Sequence, residues 1–129
     1  VKESIKFAQN RWGFNVLEVI VPFPTDEAKV TLHNPTQPML KISNMLLKID
    51  FVLVEDALNN NTITFAVFDH IASTPAITMP VKQLVKMTRQ RGILTLIDGA
   101  HAVGQVPLDL TGLDPDFYVS NTHKCYSRS

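Results

Sequence analysis

The feature that most constrains this chain is a strand–helix–strand pattern in its second half. Residues 62–68 (TITFAVF) form a short apolar run rich in β-branched residues, which predicts a buried strand. Pro80 suits the first turn of a helix, where a missing N–H costs nothing. Val81, Leu84, Val85 and Thr88 then recur at helical spacing, and Gly92 predicts the stop. Residues 93–97 (ILTLI) predict a second buried strand and residues 116–120 (DFYVS) a third. Two such strands joined through a helix require a crossover connection. The expected class is therefore α/β, with a mainly parallel sheet flanked by helices.

Upstream the pattern is looser. Residues 1–12 predict the end of a helix stopped by Gly13, and residues 14–21 (FNVLEVIV) alternate as a strand does. Pro22, Pro24, Pro35 and Pro38 predict a long loop, because proline neither donates to a ladder nor continues a helix. Residues 39–58, apolar at mixed spacing and too long for one strand, predict a helix.

Polar residues cluster where the strands of the second half should end. In open parallel sheets, ligands bind just outside the carboxyl ends of the strands. The segments following the three strands are Asp69-His70-Ile71-Ala72-Ser73, Asp98-Gly99-Ala100-His101 and Ser120-Asn121-Thr122-His123-Lys124. Parallel pairing would bring all three to one edge, where a carboxylate, hydroxyls, imidazoles and an amine converge. A lysine held near the sheet and beside a histidine loses its proton more readily than a free one, and a neutral amine attacks carbonyls.

The bland readings of these residues differ in weight. Asp before Gly often closes a tight turn, and Ser73 before Thr-Pro has an equal claim to that role. Asn121 and His123 could cap a following helix. Asp69-His70 invites a metal or dyad reading, but adjacent residues diverge at a strand end and no third ligand is suitably spaced. His33, in the proline-rich loop, is expected to be solvated, and Cys125 is not expected to be a nucleophile.

The chain carries 12 basic and 12 acidic residues and no net charge, which points to neither nucleic acid nor a membrane surface as partner. No apolar run reaches the roughly 18 residues of a membrane helix. Cys125 is the single cysteine, so no internal disulfide forms, and a reducing, cytoplasmic location is expected. No glycine-rich loop of the G-x-G-x-x-G or G-x-x-x-x-G-K kind supports a nucleotide-binding reading. Val1 is not a methionine and Ser127-Arg128-Ser129 follow closely on Lys124, so a fragment is expected.

The strings FDHIASTPAITMPV, RGILTLIDGAHAVGQVPLDL and DPDFYVSNTHK, in this order, with 26 residues from Asp98 to Lys124, resemble the fold-type I, class V aminotransferase family of pyridoxal-phosphate enzymes. The likeness is greatest to the isopenicillin N epimerase-like branch, with cysteine desulfurases and sulfur lyases more distant. The resemblance implies pyridoxal 5'-phosphate as cofactor, an amino acid or its derivative as substrate, and a homodimer. It implies a Schiff base at Lys124, which would also move the substrate α-proton. Asp98 would pair with the pyridinium nitrogen and keep the ring an electron sink. His101 and Ser73 would meet the phenolic oxygen, and Asn121 and His123 the phosphate.

The pattern is incomplete. The family shows a large aromatic residue after the lysine, where this chain has Cys125. Its glycine-rich phosphate loop, ring-stacking aromatic and small domain find no counterpart in residues 1–129. The resemblance therefore implies the central part of a large domain, of epimerase-like or lyase/desulfurase-like type. The alternative is a truncated, non-catalytic remnant.

Overall fold

The computed structural model describes residues 2–13, 15–20, 29–33, 38–43, 51–73 and 76–125. They form helix α1 (Lys2–Trp12), strands β1 (Asn15–Ile20), β2 (Lys29–His33) and β3 (Pro38–Ser43), helix α2 (Phe51–Asn60), and strand β4 (Phe65–Asp69). Helix α3 (Val81–Arg89), strand β5 (Leu94–Asp98), the single turn α4 (Leu110–Leu113), strand β6 (Phe117–Val119) and the single turn α5 (Thr122–Cys125) follow. The strands make one six-stranded sheet in the order β2-β1-β3-β4-β5-β6. β1 and β2 pair antiparallel, and every other neighbouring pair is parallel. The fold is α/β, as the second half of the sequence requires.

The core lies on one face of this sheet. Ala66 and Phe68 on β4 share that face with Thr95 and Ile97 on β5, their partners in register. Val54, Ala57 and Leu58 of α2 and Val81, Leu84 and Val85 of α3 cover it, and Leu17 of β1 joins the same cluster. The buried positions of α3 fall at the i, i+3, i+4, i+7 spacing of a one-sided helix. Burying a side chain such as Leu84 stabilises the fold by about 1.5–3 kcal/mol. Thr88, the polar member of the stripe, is fully buried, and its hydroxyl lies 2.6 Å from that of Thr95 and 3.1 Å from the Leu84 carbonyl oxygen. No buried hydroxyl is thus left unmatched there.

The stop after α3 shows why glycine is needed. Gly92 lies at φ +67°, its N–H donates to Arg89 O at 3.0 Å, and the Ile93 N–H donates to Thr88 O at 3.0 Å. This paired closure requires a left-handed residue at position 92. It turns the chain directly into β5.

Two expectations for the first half need correction. The loop expected across the prolines contains β2, whose Lys-Val-Thr-Leu-His sequence alternates and ends before Pro35. His33 is therefore the last residue of a strand, opposite Val16, rather than a loop residue. The helix expected over 39–58 is the strand β3 followed by α2, with residues 44–50 outside the described ones. Proline is allowed at the first residue of a strand, which is where Pro38 sits. A short apolar run cannot be told from a buried helix by periodicity alone, and this stretch holds two elements rather than one.

Candidate functional site

The parallel register fixes what meets at the rim of the sheet. Asp69, the last residue of β4, pairs with Asp98, the last of β5, and Asp98 pairs with Val119, the last of β6. The polar segments that follow the three strands therefore start side by side. Main-chain bonds join them further: His70 N–H donates to Asp98 O at 2.9 Å and Gly99 N–H to Val119 O at 2.7 Å. The Ser120 hydroxyl donates to Gly99 O at 3.1 Å.

Asp98 is half-buried and lies, with Leu96, on the face away from α3. Its Oδ1 accepts from the Ala100 N–H at 3.0 Å, and its second oxygen has no hydrogen-bond partner among the described residues. His101 is half-buried in the turn after β5, which closes through Ala102 N–H to Gly99 O at 2.9 Å. Asn121 is half-buried just before α5, and His123 within that turn is exposed. Lys124 belongs to α5, one turn beyond β6, and its side chain lies outside the described residues. The expected convergence of its amine with Asp98 lies outside them too.

Ser73 stands apart. After β4 the chain makes a narrow excursion, closed by the Ile71–Thr78 bridge, by Ala72 N–H to Ile77 O at 2.9 Å and by Met79 N–H to His70 O at 2.8 Å. Ser73 lies exposed near its tip, with residues 74–75 outside the described ones. The register thus starts the segments bearing Asp98, His101 and Asn121 at adjacent strand ends, with Ser73 four residues beyond the end of β4.

His70 has a different role from its neighbour. It is 9% exposed and lies 3.0 Å from the Tyr118 hydroxyl through Nδ1. Burial pushes its pKa below the ordinary 6.5, which favours the neutral imidazole. Tyr118 itself leans on Gly99, where a Cβ would come within 2.2 Å of its hydroxyl oxygen. Glycine follows Asp98 because a side chain there would collide with the tyrosine. Nothing in the sequence marks Tyr118, since its partner is 48 residues away. Among the described residues, no group of three His, Cys, Asp or Glu side chains could hold a metal ion.

The donor set suits pyridoxal phosphate. A carboxylate with one uncommitted oxygen matches a pyridinium N–H, imidazole and amide groups match the phenolic oxygen and phosphate, and a lysine lies on the adjoining turn. Among the described residues, no helix is long and apolar enough to cross a membrane.

Comparison with known proteins identifies the family. Residues 39–129 match the family model described as Aminotransferase class-V. The chain is 34% identical over 127 residues to L-cysteine desulfhydrase of Arabidopsis thaliana, covering 98% of this chain and 25% of that protein. It is 44% identical to isopenicillin N epimerase of Streptomyces clavuligerus, over 44% of this chain and 14% of that protein. The chain thus spans about a quarter of the length of the desulfhydrases it matches. Among solved structures, a chain of the SepCysS–SepCysE N-terminal domain complex superposes with a TM-score of 0.58, at 20% identity, covering 70% of this chain and 28% of that chain. That likeness establishes the shared fold. Together with the family match over most of its length, it follows that this chain belongs to the class-V aminotransferase family of pyridoxal-phosphate-dependent enzymes.

Proposed function

We propose that the chain is the lysine-bearing central part of the large domain of a pyridoxal-phosphate enzyme acting on an amino acid or amino-acid derivative, in a desulfhydrase- or lyase-like reaction. The observation that carries this reading is the register Asp69–Asp98–Val119, which sets Asp98 beside the segment leading to Lys124. The identity to desulfhydrases over nearly the whole chain favours the lyase direction. The similarity to isopenicillin N epimerase makes α-carbon epimerisation the second reading.

Pyridoxal phosphate, when bound, supplies an electron sink for a bond broken at the substrate α-carbon. Asp98 would hold the ring nitrogen through its uncommitted oxygen and keep it protonated. His101 and Ser73 would donate to the phenolic oxygen. Asn121 and His123 would bind the phosphate. Lys124 would anchor the cofactor through its amine and then take the proton from the substrate α-carbon. The family's homodimeric state and a cytoplasmic location fit this reading. The single cysteine suits a reducing compartment, and one similar plant protein is named as chloroplastic.

Addition of pyridoxal phosphate to the purified protein should give an absorbance band near roughly 420 nm that is lost in Lys124→Ala. Sulfide release from L-cysteine would mark the lyase. Solvent deuterium entering the α-carbon without sulfide release would mark the epimerase. No band at all in the wild type would leave the chain a non-catalytic remnant of the family.

A further inference from the structure

The site described so far uses neither His70 nor Tyr118, yet the two meet beneath it. The sheet order places β5 between β4 and β6. His70 directly follows β4, and Tyr118 is the middle residue of β6. Their side chains nevertheless meet, with Nδ1 and the phenol oxygen 3.0 Å apart and the rings edge-on at 84°. The contact therefore spans the width of β5. It crosses at Gly99, the one place where a bare backbone lets the Tyr118 ring pass.

Strand alternation puts this crossing directly behind Asp98. Thr95 and Ile97 point to the helix-covered face, while Leu96 and Asp98 point to the other. Gly99, next in the alternation, turns back to the covered face and rests on Tyr118. The peptide joining Asp98 to Gly99 is also tied at both edges, by His70 N–H to Asp98 O and by Gly99 N–H to Val119 O. A carboxylate that must meet one ring nitrogen has little use for a peptide free to rock, and side chains behind a functional group often set its aim.

We propose that His70 and Tyr118 are positioning residues: a strap from β4 to β6 that holds the Asp98–Gly99 peptide and so aims the Asp98 carboxylate at the cofactor ring nitrogen. The inference rests on the reading of Asp98 given above. The buried imidazole, kept neutral, bonds the phenol without placing a competing cation behind the carboxylate.

The test titrates the purified protein with pyridoxal phosphate and follows affinity together with the NMR signal of the isotope-labelled ring nitrogen, which reports its protonation. Tyr118→Phe keeps the ring against Gly99 and removes only the hydroxyl. It should weaken binding about tenfold and let the ring nitrogen lose its proton at lower pH. His70→Ala should do the same, and the double variant should add little, as for two halves of one contact. His70→Asn, whose amide reaches the position of Nδ1, should restore both readouts. Unchanged affinity and unchanged ring-nitrogen titration in Tyr118→Phe, with Asp98→Asn altering both, would overturn the strap alone. If Asp98→Asn also leaves both untouched, the underlying reading of Asp98 fails and takes the strap with it.

Discussion

The two halves of the sheet are assembled on different plans. In β4, β5 and β6 spatial order follows chain order, and α3 lies between the first two strands as their crossover. In β1, β2 and β3 the chain doubles back, so that β1 sits inside, antiparallel to β2 and parallel to β3. The sequential half carries the candidate site on its strand ends. The folded-back half supplies the opposite edge and joins the core through Leu17. The contrast shows that a crossover unit needs only local signals to be built, whereas the inserted strand depends on partners that local spacing does not specify.

Core truncations give the strongest way to break that contrast. Phe68→Ala should cost about 3–5 kcal/mol and Leu17→Ala about 2–5 kcal/mol, since both side chains are fully buried. Both should move one denaturant transition of unchanged slope, because they share a cluster. Separate transitions for the two would mean that the halves unfold independently.

Thr88→Val sharpens the account of the sequential half. It removes the hydroxyl that bonds Thr95 and the Leu84 carbonyl, and should cost about 1–2 kcal/mol by urea unfolding. A neutral outcome would show that the pair is not tightly held.

The effect of pH should be smaller and follows from His70. Its pKa is lowered in the fold, so between that value and the ordinary 6.5 the unfolded chain binds a proton the native chain does not. Stability should therefore fall as pH drops below 6.5, level off beneath the lowered value, and be unaffected above 6.5. His70→Asn should flatten this part of a stability–pH curve. A dependence that persists in the variant assigns it to another group.

The smallest effect belongs to α1. Lys6→Ala removes an exposed pair with Glu3 at 3.3 Å and should change thermal stability by about 0.2–0.5 kcal/mol. A larger loss would show that the helix matters more to the fold than an exposed ion pair suggests.

What could be read from the sequence divides along the same line. β4, α3, β5 and β6 were legible because each is punctuated: Pro80 opens the helix, Gly92 closes it, and apolar runs lie on either side. The neighbourhood of Asp98 and the 120–124 segment was legible for the same reason, since parallel strands of known direction must end together. β2 was not, because four prolines around it outweighed a short alternating stretch that only its pairing with β1 selects. β3 and α2 merged because apolar content continues from one to the other. The His70–Tyr118 contact was invisible on different grounds: it joins residues with no common spacing, and only the sheet order brings them within reach.

The glycine under the tyrosine also bears on how this protein can vary. Positions 99 and 118 divide one fixed volume between them, so neither can gain bulk without the other giving some up. In a library randomised at both, functional clones should trade size across the pair, a larger residue at 99 appearing only with a small one at 118. An evolutionary path between two such solutions would have to pass through a rarely tolerated intermediate, which makes the pair a point of epistasis.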